Sequence, residues 1–179
     1  MTKKLLCIAT FFVIFSASYI YAGEGDVSKW REWITSQQDY LDRVESLMNM
    51  SKKLANVQNS QLQEAIKKSD NELGEKILVD TTKKLSSIVD LLKALESPVE
   101  FKEYHENVVK AYMYRLKANE ATLKKDVLSI RNNTHAAMAS EIAALESIRS
   151  LYVAHNAPPQ IIDSIDRNIE AYNKRIVAN

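Results

Sequence analysis

Cysteine, glycine and proline are scarce in this chain of 179 residues, which holds one Cys, three Gly and three Pro. A lone Cys7 closes no intramolecular disulfide, so the fold rests on packing. Beyond residue 25 the only glycine is Gly74. That leaves too few for a phosphate-cradling loop, a Gly-x-Ser-x-Gly nucleophile elbow, or the tight turns of a many-stranded sheet. An excess of one charge is also missing, because 24 Lys and Arg face 23 Asp and Glu. A near-neutral chain has no electrostatic footprint for nucleic acid or an anionic membrane.

The one long apolar run stands at the start. Lys3 and Lys4 precede Leu5 to Tyr21, which is rich in Ile, Phe and Val, and the chain turns polar after Ala22 and Gly23. Such an order of basic, apolar and small residues is that of a secretory signal peptide, with Ile20 and Ala22 at the positions the peptidase reads. We therefore expect residues 1–22 to be cleaved and residues 23–179 to form a single helical domain. Removal of Lys3 and Lys4 takes the basic count from 24 to 22 against 23 acids, a net charge of −1. The expected location is periplasmic or secreted; the alternative is an inner-membrane anchor if the leader stays attached. Cys7 lies too early in the run to accept a lipid.

The remainder is striped at helical spacing. Trp30, Trp33, Gln37, Tyr40, Val44, Leu47, Ser51 and Leu54 recur every three or four residues, and so do Leu73, Ile77, Thr81, Leu85, Ile88 and Leu92. Ser60 and Ser69 each precede Gln or Glu by three residues, the form of a capping box. Ser97-Pro98-Val99-Glu100 marks a further start. From it one stripe runs through Phe101, Tyr104, Val108, Ala111, Tyr112, Leu116, Leu123, Val127, Ile130, Thr134, Ala137, Leu145, Ile148 and Tyr152. Pro158-Pro159 ends that element and starts the last, whose seam is Ile162, Ile165, Ile169, Tyr172 and Ile176. The spacing predicts an all-α, elongated antiparallel bundle of four to five helices, near 27–57, 61–96, 98–131, 134–155 and 159–177. Its very long third element is kinked or broken near Asn133, where Asn132-Asn133-Thr134 are poor helix formers.

Signals for chemistry are few. Carboxylate-bundle metal sites use Glu three residues before His, but Lys102, Asn132 and Tyr152 precede His105, His135 and His155. Cys-x-x-Cys-His is absent, so haem is not attached covalently. A non-covalent haem held by His and one of Met48, Met50, Met113 or Met138 is the alternative to ordinary core methionines. Glu103 and Glu106 flank His105 and would favour its protonated form. Lys67-Lys68, Lys124-Lys125 and Lys174-Arg175 read as solvated faces, since acids interleave them.

Trp30, Trp33, Tyr104, His105 and Tyr112 stand out as aromatics that would gather at one end of an antiparallel bundle. There they either fill the core or anchor a partner. The plan resembles that of small bacterial envelope proteins. It implies a non-enzymatic protein with no catalytic residue, metal or cofactor. Such a protein would act by protein–protein interaction or as a scaffold, its partner another envelope or secreted protein or a second copy of itself. The alternative is a bundle that binds a small molecule or haem. Each isoleucine of the last seam is worth roughly 1.5–3 kcal/mol when buried. Deleting residues 158–179 is therefore expected to lower the melting temperature of the whole domain, and an unchanged melting temperature would refute that.

Overall fold

The computed structural model describes residues 27–178, all-helical apart from short connections; the leader at 1–22 lies outside them. The helices are α1 (Ser28–Ser36), α2 (Gln38–Lys67), α3 (Asn71–Ala94), α4 (Lys102–Leu123), α5 (Val127–Ala154) and α6 (Pro159–Ala178), with a 3-10 turn at Val99–Phe101. Among the described residues no helix is long and apolar enough to cross a membrane.

Each stripe buries against the next helix in the chain, α2 on α3, α3 on α4, α4 on α5 and α5 on α6. The core holds Leu41, Val44 and Met48 of α2, Leu85, Ile88 and Leu92 of α3, Val108 of α4, Leu145 and Ile148 of α5 and Ile165 of α6. The closest pair is α4 with α5. Buried alanines, Ala111 and Ala121 on one helix and Ala137 and Ala144 on the other, keep the packed side chains small and let the backbones approach. Arg149 Nε and Nη2 donate to the Asp166 carboxylate at 2.5 and 3.1 Å and fix α6 against α5.

The boundaries differ from the sequence expectation in informative places. The first long helix does not stop near residue 57: the stripe continues past Ser60 to the buried Ala65, and the chain leaves helix only at Lys68. Ser60 is thus a mid-helix residue, and the next helix starts at Asn71 rather than 61. Gln37, the polar member of the opening stripe, sits where α1 gives way to α2. Pro98 heads a 3-10 turn, so α4 begins at Lys102. The long third element divides at Lys124–Asp126, and Asn133 lies inside α5, its side-chain amide donating to the Ser129 carbonyl at 2.8 Å.

One device makes three of the turns. Ser69, Lys125 and Asn156 adopt left-handed φ of 54°, 57° and 56°. In each case the next residue's N–H reaches back five residues: Asp70 to the Ala65 carbonyl, Asp126 to Ala121 and Ala157 to Tyr152, at 2.8–3.0 Å. This is the Schellman closure, which satisfies helix-end carbonyls and usually places glycine at the left-handed position. Two of the turns then restart at once, because Asp70 and Asp126 accept from the backbone N–H of Leu73 and Ser129 and cap the following helix. With no glycine at these turns, the break at Lys125 carries no compositional flag.

A non-glycine residue in the left-handed region costs about 1 kcal/mol. Lys125→Gly is accordingly expected to raise the melting temperature by about 2–4 °C. Gly74→Ala should gain about as much from helix propensity, since an added Cβ meets nothing within 4 Å. Thermal denaturation followed by circular dichroism tests both.

Candidate functional site

Trp30, Trp33, Tyr104 and His105 each pack in one cluster of rings, whereas Tyr112 lies apart from it against Arg115. Trp30 meets Tyr152 edge to face with ring centroids 4.7 Å apart, and Trp33 stacks on His155 at 3.8 Å and on Phe101 at 5.6 Å. Trp33 Nε1 donates to Glu100 Oε2 at 2.8 Å, and the same oxygen lies 3.6 Å from His155 Nε2. Tyr40 packs on Phe101, and its hydroxyl is 3.2 Å from His105 Nδ1. Trp30, Tyr104 and Tyr112 are buried, and only Trp33 and His105 among the five aromatic candidates keep part of a ring at the surface. Burial lowers the His105 pKa and outweighs the opposing pull of Glu106, so the ring favours its neutral form rather than the protonated form its acidic neighbours suggested.

The polar interior lies elsewhere. Among the described residues, the buried polar or charged side chains other than tyrosine are Ser51, Thr81 and Glu141. All three line one cavity of about 80 Å³, to which α2, α3, α4, α5 and α6 each contribute. In its wall Arg115 Nη2 is paired with Glu141 Oε1 across the α4–α5 seam. Both residues occupy stripe positions where an apolar side chain is the ordinary choice. The Tyr172 hydroxyl also donates to Glu141, and the Tyr112 oxygen accepts from Ser51.

Two guanidinium groups and one carboxylate face this space, the third charge being Arg175. Each guanidinium lies against a tyrosine ring, Arg115 at 5.1 Å from the Tyr112 centroid and Arg175 at 5.7 Å from that of Tyr172. Burial acts to lower the Arg115 pKa, but Glu141 and the neighbouring tyrosines more than offset it, and the guanidinium stays charged. Burial raises the Tyr112 and Tyr172 pKa values, with Glu141 adding to the effect and Arg115 opposing it, so both phenols stay protonated. Leu54, Leu85, Ala137 and Met138 form the apolar wall. Several lining residues, Gln58, Asn119 and Arg175 among them, are partly exposed, so the space communicates with solvent. Beyond the ion pair, a second void of about 10 Å³ beside Met48, Val108 and Tyr112 has room for one water at most.

No protein-family model, curated protein or solved structure matches this chain. The site must therefore be read from its own geometry. Of the four methionines weighed for haem, only Met138 lines the larger cavity, and none of the three histidines does. Among the described residues no group of three or more His, Cys, Asp or Glu is placed to hold a metal ion. The sequence nominated none of Ser51, Thr81, Arg115, Glu141 or Arg175 as site residues. The available signal was a charge at stripe spacing, Arg115 four residues after Ala111 on one helix and Glu141 midway between Ala137 and Leu145 on the next.

Removing one partner of a buried ion pair strands the other and typically costs about 3–5 kcal/mol, whereas replacing both by apolar side chains is close to neutral. Arg115→Met and Glu141→Leu are each expected to destabilise the fold by roughly that amount, and the double variant by much less than their sum. A double-mutant cycle in urea measures the coupling, and simple additivity would dissolve the pair as a structural unit.

Proposed function

We propose that the mature chain is a periplasmic or secreted, non-enzymatic binding protein whose ligand is a small molecule held in the five-helix cavity. One observation carries this reading: the buried polar side chains converge on a single space instead of being scattered or replaced by apolar residues. Burying a polar group without a partner is costly, and packing alone would be served better by leucine. Convergent polar groups in an apolar pocket between bundle helices are the usual form of a small-ligand site. The leader-like N-terminus supports export, and the weakness of nucleophile or metal signals supports binding rather than turnover.

The adaptor role expected from the sequence rests on a different observation and is the second reading. Ile66, Val127 and Leu128 are exposed at the end of the bundle that holds the α2–α3 and α4–α5 turns. An envelope protein docked there would leave the cavity unaffected.

The purified mature protein is to be screened by thermal shift against a panel of small metabolites. A ligand present at a hundredfold over its Kd contributes about 2.7 kcal/mol, or roughly 5–10 °C for a domain of this size. Ala55→Leu, which intrudes on the cavity from the partly exposed side of α2, is expected to abolish that shift. A shift that survives the substitution unchanged would place binding elsewhere and overturn the proposal.

A further inference from the structure

Resting on the small-ligand reading above, we propose that the cavity takes a small uncharged molecule of the primary-amide kind, whose polar head donates hydrogen bonds and carries a short apolar tail. The hydroxyls in the wall decide the head. A hydroxyl has one hydrogen to give and two lone pairs to receive with. Thr81 Oγ1 gives its hydrogen to the Ile77 carbonyl at 2.8 Å, Thr134 Oγ1 to the Ile130 carbonyl at 2.8 Å, and Ser51 to the Tyr112 oxygen. All three residues line the cavity, from α3, α5 and α2. With their hydrogens spent inside the protein, what they offer a guest is acceptor oxygen. The ionised Glu141 carboxylate accepts only, and adds to the same character.

Arg115 supplies the complementary group. A guanidinium carries five N–H donors and one carboxylate occupies at most two of them in a fork, so pairing with Glu141 leaves N–H groups for an acceptor on the guest. A primary amide meets both needs with one planar group, giving N–H to hydroxyl oxygens and accepting at its carbonyl. The ion pair also argues against a charged guest. Arg115 and Glu141 already balance each other, and Arg175 is engaged in contacts of its own, its guanidinium lying against the Tyr172 ring. An ion entering beside a balanced pair would shed its hydration for no new counter-charge, which costs more than burying a neutral head that is hydrogen-bonded. Size and lining set the tail. One enclosed water takes roughly 10–15 Å³, so a cavity of about 80 Å³ has room for on the order of five to eight heavy atoms. Leu54, Leu85 and Met138 give the tail its apolar surface.

The probes are butyramide, methyl propyl ketone and butyrate, which share shape and differ in donor and charge, measured by calorimetry and thermal shift on the full mature chain. Butyramide is expected to bind, and the ketone, which accepts but cannot donate, at least about tenfold more weakly. Butyrate is expected to bind no better than the ketone. Thr81→Val and Thr134→Val keep the side-chain shape and remove the acceptor oxygen, and each helix retains its own backbone ladder. Together they should weaken butyramide by about tenfold or more while leaving the ketone unmoved. Equal binding of ketone and amide, butyrate binding tighter than butyramide, or butyramide affinity unmoved by the double variant would overturn the amide assignment and leave the cavity reading standing. If none of the three binds while a panel compound does and is displaced by Ala55→Leu, the assignment fails alone. If nothing binds, both readings fail.

Discussion

A salt bridge inside a helical bundle needs polar partners and close walls to offset its lost hydration, and much of the arrangement of this chain surrounds one. Arg115 and Glu141 meet on the α4–α5 seam, where small alanines flank them and the Glu141 carboxylate is buried. Moving the two charges out of water is expensive, and their attraction repays it only when further hydrogen bonds and tight walls accompany the pair. Tyr112 covers one side with its ring, and Tyr172 reaches over from α6 to bond Glu141. The polar groups of α2 and α3, Ser51 and Thr81, then face a space that no apolar side chain fills.

The bundle thus has two interiors of different character. At one end rings pack on rings: Trp30, Trp33, Phe101, Tyr152 and His155 interlock, with Glu100 holding the indole N–H. Toward the other end the same helices carry small and polar residues, and the cavity opens between them. Offset and edge-to-face ring contacts add stabilisation beyond area alone, so the aromatic end is suited to hold the helices in register. The polar end, with its partly exposed walls, has room to admit a guest.

Much of this architecture was legible in the sequence. Stripes at three- and four-residue spacing and the scarcity of glycine fixed an all-α bundle, and Pro158-Pro159 marked the start of the last helix correctly. Turn positions were less so, because the left-handed residues are Ser69, Lys125 and Asn156 rather than glycine, and the poor helix formers near Asn133 drew attention away from Asp126. The site was the least legible. Ser51, Thr81 and Thr134 were visible as polar members of otherwise apolar stripes, yet a hydroxyl can be absorbed by its own helix, as those of Thr81 and Thr134 are. Arg115 and Glu141 stand at stripe spacing, yet on amphipathic helices a charge is ordinarily part of the wet face and they drew no notice. Only the handed arrangement of five helices shows that these positions look inward at one another.

The cavity draws its walls from residues as far apart in the chain as Ser51 and Arg175. No contiguous stretch of polypeptide makes those walls, and during synthesis they stay incomplete until α6 has been added. A half-made or clipped molecule that had zipped α2 to α5 together would expose a charged pair on its flank instead of a receptacle. The hollow therefore exists only once the last helix has docked, since Tyr172 and Arg175 of α6 are part of its wall.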